Sequence, residues 1–235
     1  MQFYVLGDLR TDDWTYHARG YSMKPKNVGD APHCPVCGAC VGSLTWLPPY
    51  HAEIVVHGPK VGDLVRCSGP QLLLSDRFQN AWQQEELRGI EEFAPLARLR
   101  VRPARLGRPP KTYFHVAPQH YGTRIDLQKS VIEYRDPVTC TYCLSGWTET
   151  IRGFAIDEPS WSGEDLFTAW GLPGDIIVTD RVRQMRDKYE LTNINLTRVE
   201  EYLSDPERRW TPYCDYLPEG FTPPENPEVE TGTSN

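Results

Sequence analysis

The sequence predicts an α+β fold built from two fused internal repeats. Two observations carry this prediction: a Cys-x-x-Cys pair occurs twice about 100 residues apart, and an apolar triplet followed by Ser/Thr-Asp-Arg also occurs twice. Residues 72–78 match residues 176–182 conservatively at every position, with an offset of 104. Because the motifs recur in the same order, we expect each repeat to be a Cys-x-x-Cys knuckle followed by strand, helix and strand.

The motif positions place the first repeat, with an N-terminal strand, at residues 1–110 and the second at residues 111–210. We expect the two repeats to form one compact unit, because 235 residues with 39% hydrophobic side chains suffice for an ordinary core. Residues 211–235 form a Pro-rich acidic tail, and this composition predicts partial disorder.

Each repeat is predicted to contain a buried strand that runs directly into an amphipathic helix. The strands are the triplets at residues 72–74 and 176–178, and Ser75 and Thr179 follow them as helix N-caps. Apolar residues then recur at helical spacing, namely Phe78, Ala81 and Trp82 in one helix and Val182, Met185 and Tyr189 in the other. We interpret these stripes as core.

Period-two alternation predicts further strands at residues 3–6, 99–102 and 113–116. A basic stretch without acidic residues runs from Arg98 to Lys111, and alternation places Arg98, Arg100 and Arg102 on one strand face. A solvated or edge-protecting face explains this pattern. The alternative explanation is a contact for an acidic or nucleic-acid partner.

The four paired cysteines are the candidate metal ligands. The first pair, Cys34-Pro-Val-Cys37, is followed by a glycine and reads as a knuckle, in which one tight turn holds two thiolates. Structural zinc takes four protein ligands, so Cys140 and Cys143 could complete the site. We predict one structural zinc ion shared by the two repeats.

The remaining cysteines receive no role from the sequence. His33 and Cys40 are spare donors beside the first pair, whereas Cys67 and Cys214 lack paired spacing and are expected to be small buried hydrophobes. Redox use of the pairs is a weaker interpretation, because neither lies in a thioredoxin-like context.

Composition limits the function. A net charge of −7 argues against a general nucleic-acid binder and suits a basic partner. The sequence contains no nucleophile elbow, phosphate loop, dinucleotide fingerprint or HExxH motif, so we expect no enzymatic activity. It also has no apolar run near the roughly 18 residues of a membrane span and no signal-peptide pattern, so we expect a cytoplasmic protein without membrane association.

The Cys-Pro-x-Cys-Gly motif, the second Cys-x-x-Cys pair and the segment at residues 165–181 together resemble the double-CXXCG family of myxobacterial proteins. The resemblance covers roughly residues 1–203. That family includes immunity proteins of swarming-inhibition toxin systems. The resemblance implies a protein that neutralises a cognate toxin, for example a basic nuclease domain, by stoichiometric binding. It maps the paired cysteines onto Cys34, Cys37, Cys140 and Cys143, with Leu144 in place of the second glycine.

Two other functions stay open at this point. One is a zinc-ribbon nucleic-acid-binding or regulatory protein that uses the basic strand between Arg98 and Lys111. The other is an uncharacterised enzyme or thiol redox protein. As a partner-contact surface, the sequence offers the acidic and aromatic stretch around Trp161, Asp165, Phe167 and Trp170.

Overall fold

The computed structural model describes residues 1–7, 14–24, 26–103, 112–172 and 174–205. The predicted tail at residues 211–235, Cys214 and the end of the basic stretch at Lys111 lie outside these ranges. The helices are α1 (Asp76–Gln84) and α2 (Asp180–Lys188). The strands are β1 (Phe3–Leu6), β2 (Ala18–Ser22), β3 (Tyr50–Val56), β4 (Leu64–Arg66), β5 (Leu72–Ser75), β6 (Ala94–Arg102), β7 (Tyr113–Val116), β8 (His120–Arg124), β9 (Ile132–Asp136), β10 (Trp147–Arg152), β11 (Leu166–Trp170), β12 (Ile176–Thr179), β13 (Leu196–Arg198) and β14 (Leu203–Ser204).

The strands form three sheets, and the protein is a mixed α and β structure dominated by strands. One sheet has the order β13-β1-β12-β11-β8, another β2-β3-β6-β7-β5-β4, and a small one β14-β10-β9. The prediction that strand, helix and strand follow each knuckle is incomplete, because two further strands precede them. These are β3 and β4 after the first knuckle and β10 and β11 after the second. Neither described helix has the length and apolar character that a membrane crossing requires.

Both predicted strand-to-helix turns are present. In the first, Ser75 caps α1 by accepting a hydrogen bond from the backbone N–H of Phe78 at 3.2 Å. In the second, Thr179 occupies the N-cap position, but its hydroxyl donates to Asp165 at 2.6 Å and does not cap the helix. The helical stripes are buried as predicted at Phe78, Ala81, Trp82, Val182 and Met185. Tyr189 is only half-buried and packs against the edge of the core.

The two predicted repeats exchange their first strands. Strand β1 pairs antiparallel with β12, with Phe3 opposite Thr179, and β7 pairs antiparallel with β5, with Tyr113 opposite Ser75. The main hydrophobic core therefore contains side chains from both sides of residue 110, including Leu6, Leu72, Phe78, Val116, Ile176 and Val182. Each of the two large sheets therefore contains an inner strand from the other predicted repeat: β1 lies between β13 and β12, and β7 lies between β6 and β5.

Two buried carboxylates organise the strand-to-helix turns, and they were not recognised from the sequence. Asp63 is fully buried and Asp165 is 2% exposed. Asp63 accepts hydrogen bonds from Ser75, Arg77 and the backbone of Thr192, and Asp165 accepts them from Thr179, Arg181 and the backbone of Arg88. Matched networks around two carboxylates thus explain the Ser/Thr and Arg positions of the repeated Ser/Thr-Asp-Arg motif.

The arginines of these networks also join the two helices. Arg77, at the start of α1, donates to the carbonyl of Tyr189 at the end of α2 at 2.9 Å. Arg181, at the start of α2, donates to the carbonyl of Glu85 at the end of α1 at 2.8 Å. Each guanidinium thereby satisfies a helix C-terminal carbonyl that has no partner within its own helix.

The basic strand face is exposed, as predicted, but it is partly neutralised. Strand β6 runs parallel to β3, which brings the side chains of Arg100 and Arg102 to Glu53. Glu53 is 7% exposed and pairs with both arginines, at 2.8 Å for Arg102. A carboxylate shared by two guanidinium groups explains why arginines lie side by side on this face.

The predicted partner surface around Asp165 is wrong, because its residues are largely interior. Phe167 is fully buried, and Asp165 belongs to the network described above. Trp161 packs edge-on against Phe3 with ring centroids 5.5 Å apart, and its indole N–H donates to the carbonyl of Glu164. The aromatic residues of this stretch pack in the interior, and Asp165 holds the second strand-to-helix turn in place.

Candidate metal centre

The four predicted cysteine ligands come together in one cluster. Their Sγ atoms all lie within 4.8 Å of one another. Cys34 is 3.9 Å from Cys140, and Cys37 is 3.7 Å from Cys143, across 106 residues of sequence in each case. The first pair lies in the loop between β2 and β3, and the second lies in the loop between β9 and β10.

The sulfur spacing fits a tetrahedral metal ion. Zn–S bonds of about 2.3 Å place the ligand sulfurs of a tetrahedral site about 3.8 Å apart. A disulfide would need about 2.05 Å, and all the described cysteines are free thiols. Four sulfur ligands in this arrangement are typical of zinc or iron. The cluster is therefore a plausible metal site.

Both cysteine turns have the same backbone geometry. The backbone N–H of Gly38 donates to the carbonyl of Cys34 at 2.9 Å, and that of Leu144 donates to the carbonyl of Cys140 at 3.0 Å. Gly38 has a φ of 74° and Leu144 a φ of 52°. Leu144 therefore adopts the left-handed conformation of the glycine that it replaces, although this conformation is unfavourable for a leucine.

Burial explains how a leucine is held in this conformation. Leu144 is 9% exposed and belongs to a hydrophobic cluster that includes Ile125 and Phe154. Gly171 leaves the space for it, since a Cβ at that position would lie 2.7 Å from Ile125 and 3.3 Å from the Cβ of Leu144. The packing of the side chain opposes the backbone cost of the left-handed region.

The first cysteine turn is closed by a small antiparallel hairpin. Cys34 donates its N–H to the carbonyl of Ala39 at 2.8 Å, and His33 and Cys40 form a backbone bridge. Cys40 is exposed, and its thiol donates to the carbonyl of Gly42 at 3.3 Å. The spare donor Cys40 therefore supports the hairpin edge and stands outside the metal cluster, as does His33.

Backbone amides favour ionisation of one thiol in each pair. Burial raises the pKa of Cys34, but hydrogen bonds from the backbone N–H groups of Cys37 and Val36 lower it to about 6. The pKa of Cys140 is lowered mainly by hydrogen bonds from the backbone of Cys143 and Tyr142. Burial raises the pKa of Cys143 to about 12. The backbone N–H of Ala39 lowers the pKa of Cys37, but burial and the thiols of Cys34 and Cys140 raise it by more, so that its pKa lies above the usual value. A bound cation would supply the charge needed to ionise these two remaining thiols.

Most of the cluster is shielded from solvent. Cys34, Cys140 and Cys143 are buried, whereas Cys37 is exposed. Val41 and Trp170 pack against the cluster. Four protein sulfurs could occupy all four positions of a tetrahedral metal ion, and a site filled in this way leaves no position for a water or a substrate.

Cys67 lies apart from the cluster, as the sequence predicts. It is 4% exposed within a hydrophobic cluster, and burial raises its pKa to about 12. No model of a known protein family matches the chain, and no curated protein matches it.

Proposed function

We propose that the cysteine cluster binds one zinc ion, which has a structural role. The sulfur distances of 3.7 and 3.9 Å support this proposal, as do the four ligands that leave no open position. One pair of ligands precedes the other by 106 residues in the sequence. Zinc would therefore close a long loop and restrict the unfolded chain, while it clamps the intertwined segments in the folded state.

We further infer that the fold arose from duplication of one unit. The matched contacts of Asp63 and Asp165 support this, as does the reciprocal bonding of Arg77 and Arg181 to the opposite helices. The positive φ values of Glu86 and Glu190, both 50°, recur at the same offset of 104 residues as the sequence motifs. Each unit would complete its sheet with the first strand of the other.

The function that these features support best is toxin neutralisation by an immunity protein. The carrying observation is the joint cluster of Cys34, Cys37, Cys140 and Cys143, because these residues are also the basis of the resemblance to the double-CXXCG family. In this proposal the chain binds a cognate toxin stoichiometrically and blocks it. Binding, and not catalysis, is its activity.

Charge and rigidity support such a role physically. The net charge of −7 would attract a basic toxin, for example a nuclease domain, and speed the association. Intertwined strands and a metal clamp would present the binding surface in a fixed conformation. A preorganised surface loses less entropy on binding, which favours a tight complex.

Co-expression tests this proposal directly. The chain should restore growth to cells that produce the toxin encoded by the neighbouring open reading frame. It should also co-purify in a one-to-one complex with an inactivated toxin variant. A toxin from an unrelated system serves as the specificity control. Growth arrest that persists despite soluble chain, together with the absence of a complex, would contradict the immunity function.

The nucleic-acid-binding alternative has weaker support. Glu53 pairs with both Arg100 and Arg102 and so offsets part of the positive charge that would bind phosphates. If this strand did bind nucleic acid, the affinity would fall steeply with salt and with the double substitution Arg100→Glu and Arg102→Glu. We expect no such salt-dependent binding.

A further inference from the structure

Cys37 is the exposed member of the cysteine cluster. Cys34, Cys140 and Cys143 are only 3%, 8% and 1% exposed, whereas Cys37 lies at the surface. A Cβ added at the next residue, Gly38, would meet no atom within 4 Å, so the space beside this turn is open. Small molecules in solution can therefore reach the cluster at Cys37.

The other three cysteines of the cluster lie behind packed side chains. Cys34, Cys140 and Cys143 form a buried cluster with Val41, and Trp170 packs against it. The oxidation of a cysteine depends on its access to the oxidant and on its ionisation to the thiolate. Access therefore favours Cys37 over the other three ligands.

Metal binding would supply the ionisation. Cysteines bind zinc as thiolates, and the thiolate is the form that attacks an oxidant. Cys37 would thus be held in its reactive form at an exposed position. Cys40 is exposed too, but its thiol donates to the carbonyl of Gly42 at 3.3 Å and stands outside the cluster. Cys40 is therefore a matched control, because it is accessible but has no metal to ionise it.

A second sulfur lies close to Cys37. The Sγ atoms of Cys37 and Cys143 are 3.7 Å apart, and this contact is shorter than the 3.9 Å between Cys34 and Cys140. A disulfide requires about 2.05 Å, so the two sulfurs must approach by about 1.7 Å. Both cysteines lie in loops and not in regular strands. Rotation of the side chains with a small shift of either loop can supply this movement.

We propose that Cys37 is an oxidation site, at which hydrogen peroxide converts the metal cluster into a disulfide between Cys37 and Cys143. The Cys37 thiolate attacks one peroxide oxygen and the O–O bond breaks, which leaves a sulfenic acid on Cys37 and a hydroxide that takes up a proton to become water. The Cys143 thiolate then attacks the sulfenic sulfur. The S–S bond forms, the S–O bond breaks, and the second hydroxide is also protonated to water. Two electrons pass from the two sulfurs to the peroxide.

This oxidation would exchange a metal link for a covalent one, and this step rests on the zinc site proposed above. Cys34 and Cys140 alone cannot close a tetrahedral zinc site, so the ion is released. The new bond joins the same two loops across 106 residues, and the loops therefore stay connected after the metal has left. A dithiol reductant would break the disulfide by exchange and restore the four ligands.

Peroxide treatment of the zinc-loaded protein tests the proposal. Hydrogen peroxide should release about one zinc ion per chain, which a chromophoric chelator detects. Peptide mass spectrometry without reduction should show Cys37 linked to Cys143. Dithiothreitol followed by added zinc should reverse both changes. A disulfide that joins Cys37 to any other cysteine, or zinc release without a disulfide, would overturn the proposal.

Replacing Cys37 by histidine removes the exposed sulfur but keeps a ligand, because histidine also binds structural zinc. Zinc-loaded Cys37→His should release its ion to peroxide about tenfold more slowly than the natural protein, or slower still. Cys40→Ser is the matched control and should release zinc at the natural rate. Unchanged release from Cys37→His, or slowed release from Cys40→Ser, would contradict the assignment. If Cys37→His holds no zinc, the position of the disulfide in the natural protein still decides.

The same measurements separate the oxidation site from the zinc site. If the purified chain contains no zinc but peroxide joins Cys37 to Cys143, the zinc site fails and the oxidation site stands. If the chain holds one zinc ion and peroxide leaves all four sulfurs reduced, the oxidation site fails and the zinc site stands. Zinc release together with this disulfide supports both.

Discussion

Replacing Leu144 by glycine tests why the second cysteine turn differs from the first. The substitution restores the residue that Gly38 provides in the first turn, and it removes the cost of a φ of 52° for a leucine. That cost is about 1–2 kcal/mol. Part of the gain is offset by about 0.5–1 kcal/mol, because glycine is more flexible in the unfolded chain.

The loss of packing should outweigh this gain. Leu144 is 9% exposed and packs with Ile125 and Phe154, and truncation of such a buried leucine costs about 2–5 kcal/mol. We therefore expect Leu144→Gly to lower the free energy of unfolding by about 1–4 kcal/mol. Leu144→Ala should cost about the same, because alanine keeps one methyl group but also keeps the backbone strain.

Urea unfolding in a medium of fixed free zinc concentration measures these differences, with the zinc content of each variant determined beforehand. Gly38→Ala is the comparison in the first turn. It should cost only about 1–2 kcal/mol, since a Cβ at Gly38 meets no atom within 4 Å. If Leu144→Gly proved more stable than the natural protein, the argument that packing holds this turn would be refuted.

Three further predictions concern the interior. Asp63→Asn and Asp165→Asn should each destabilise the protein by about 2–4 kcal/mol in chemical denaturation, and clearly unequal costs would contradict their structural equivalence. Burial lowers the pKa of His115 from 6.5 to about 4, so between these pH values only the unfolded state takes up the proton. Acidification over this range should therefore cost the natural protein about 3 kcal/mol more than His115→Gln, and equal pH dependence would count against a buried neutral imidazole. In native zinc-loaded protein, iodoacetamide followed by peptide mass spectrometry should label exposed Cys40 but not Cys67, whose pKa is raised to about 12 by burial; rapid labelling of Cys67 would contradict its placement.

Local structure could be predicted from the sequence wherever one short segment determines it. The apolar triplets, Ser75 as helix cap and the stripe with Phe78 follow from spacing and capping chemistry, and the structure has these elements at the expected positions. The meeting of the cysteine pairs was also predictable, because a pair of ligands cannot close a tetrahedral zinc site.

The features that were missed depend on contacts between distant segments. Nothing in residues 3–6 reveals that β1 pairs with β12 and not with a nearer strand. Asp63 and Asp165 look like surface carboxylates until the arginines and hydroxyls that surround them are known. Their recurrence before each Ser/Thr-Asp-Arg motif was the available signal.

The metal content of the purified protein tests the central claim most directly. Protein prepared without added metal should contain about one zinc ion per chain by elemental analysis. Cys140→Ser should lower both this content and the thermal unfolding temperature, while Cys40→Ser, at an exposed thiol outside the cluster, should change neither. Zinc-free protein of full stability, or a cluster that holds iron in place of zinc, would contradict the account.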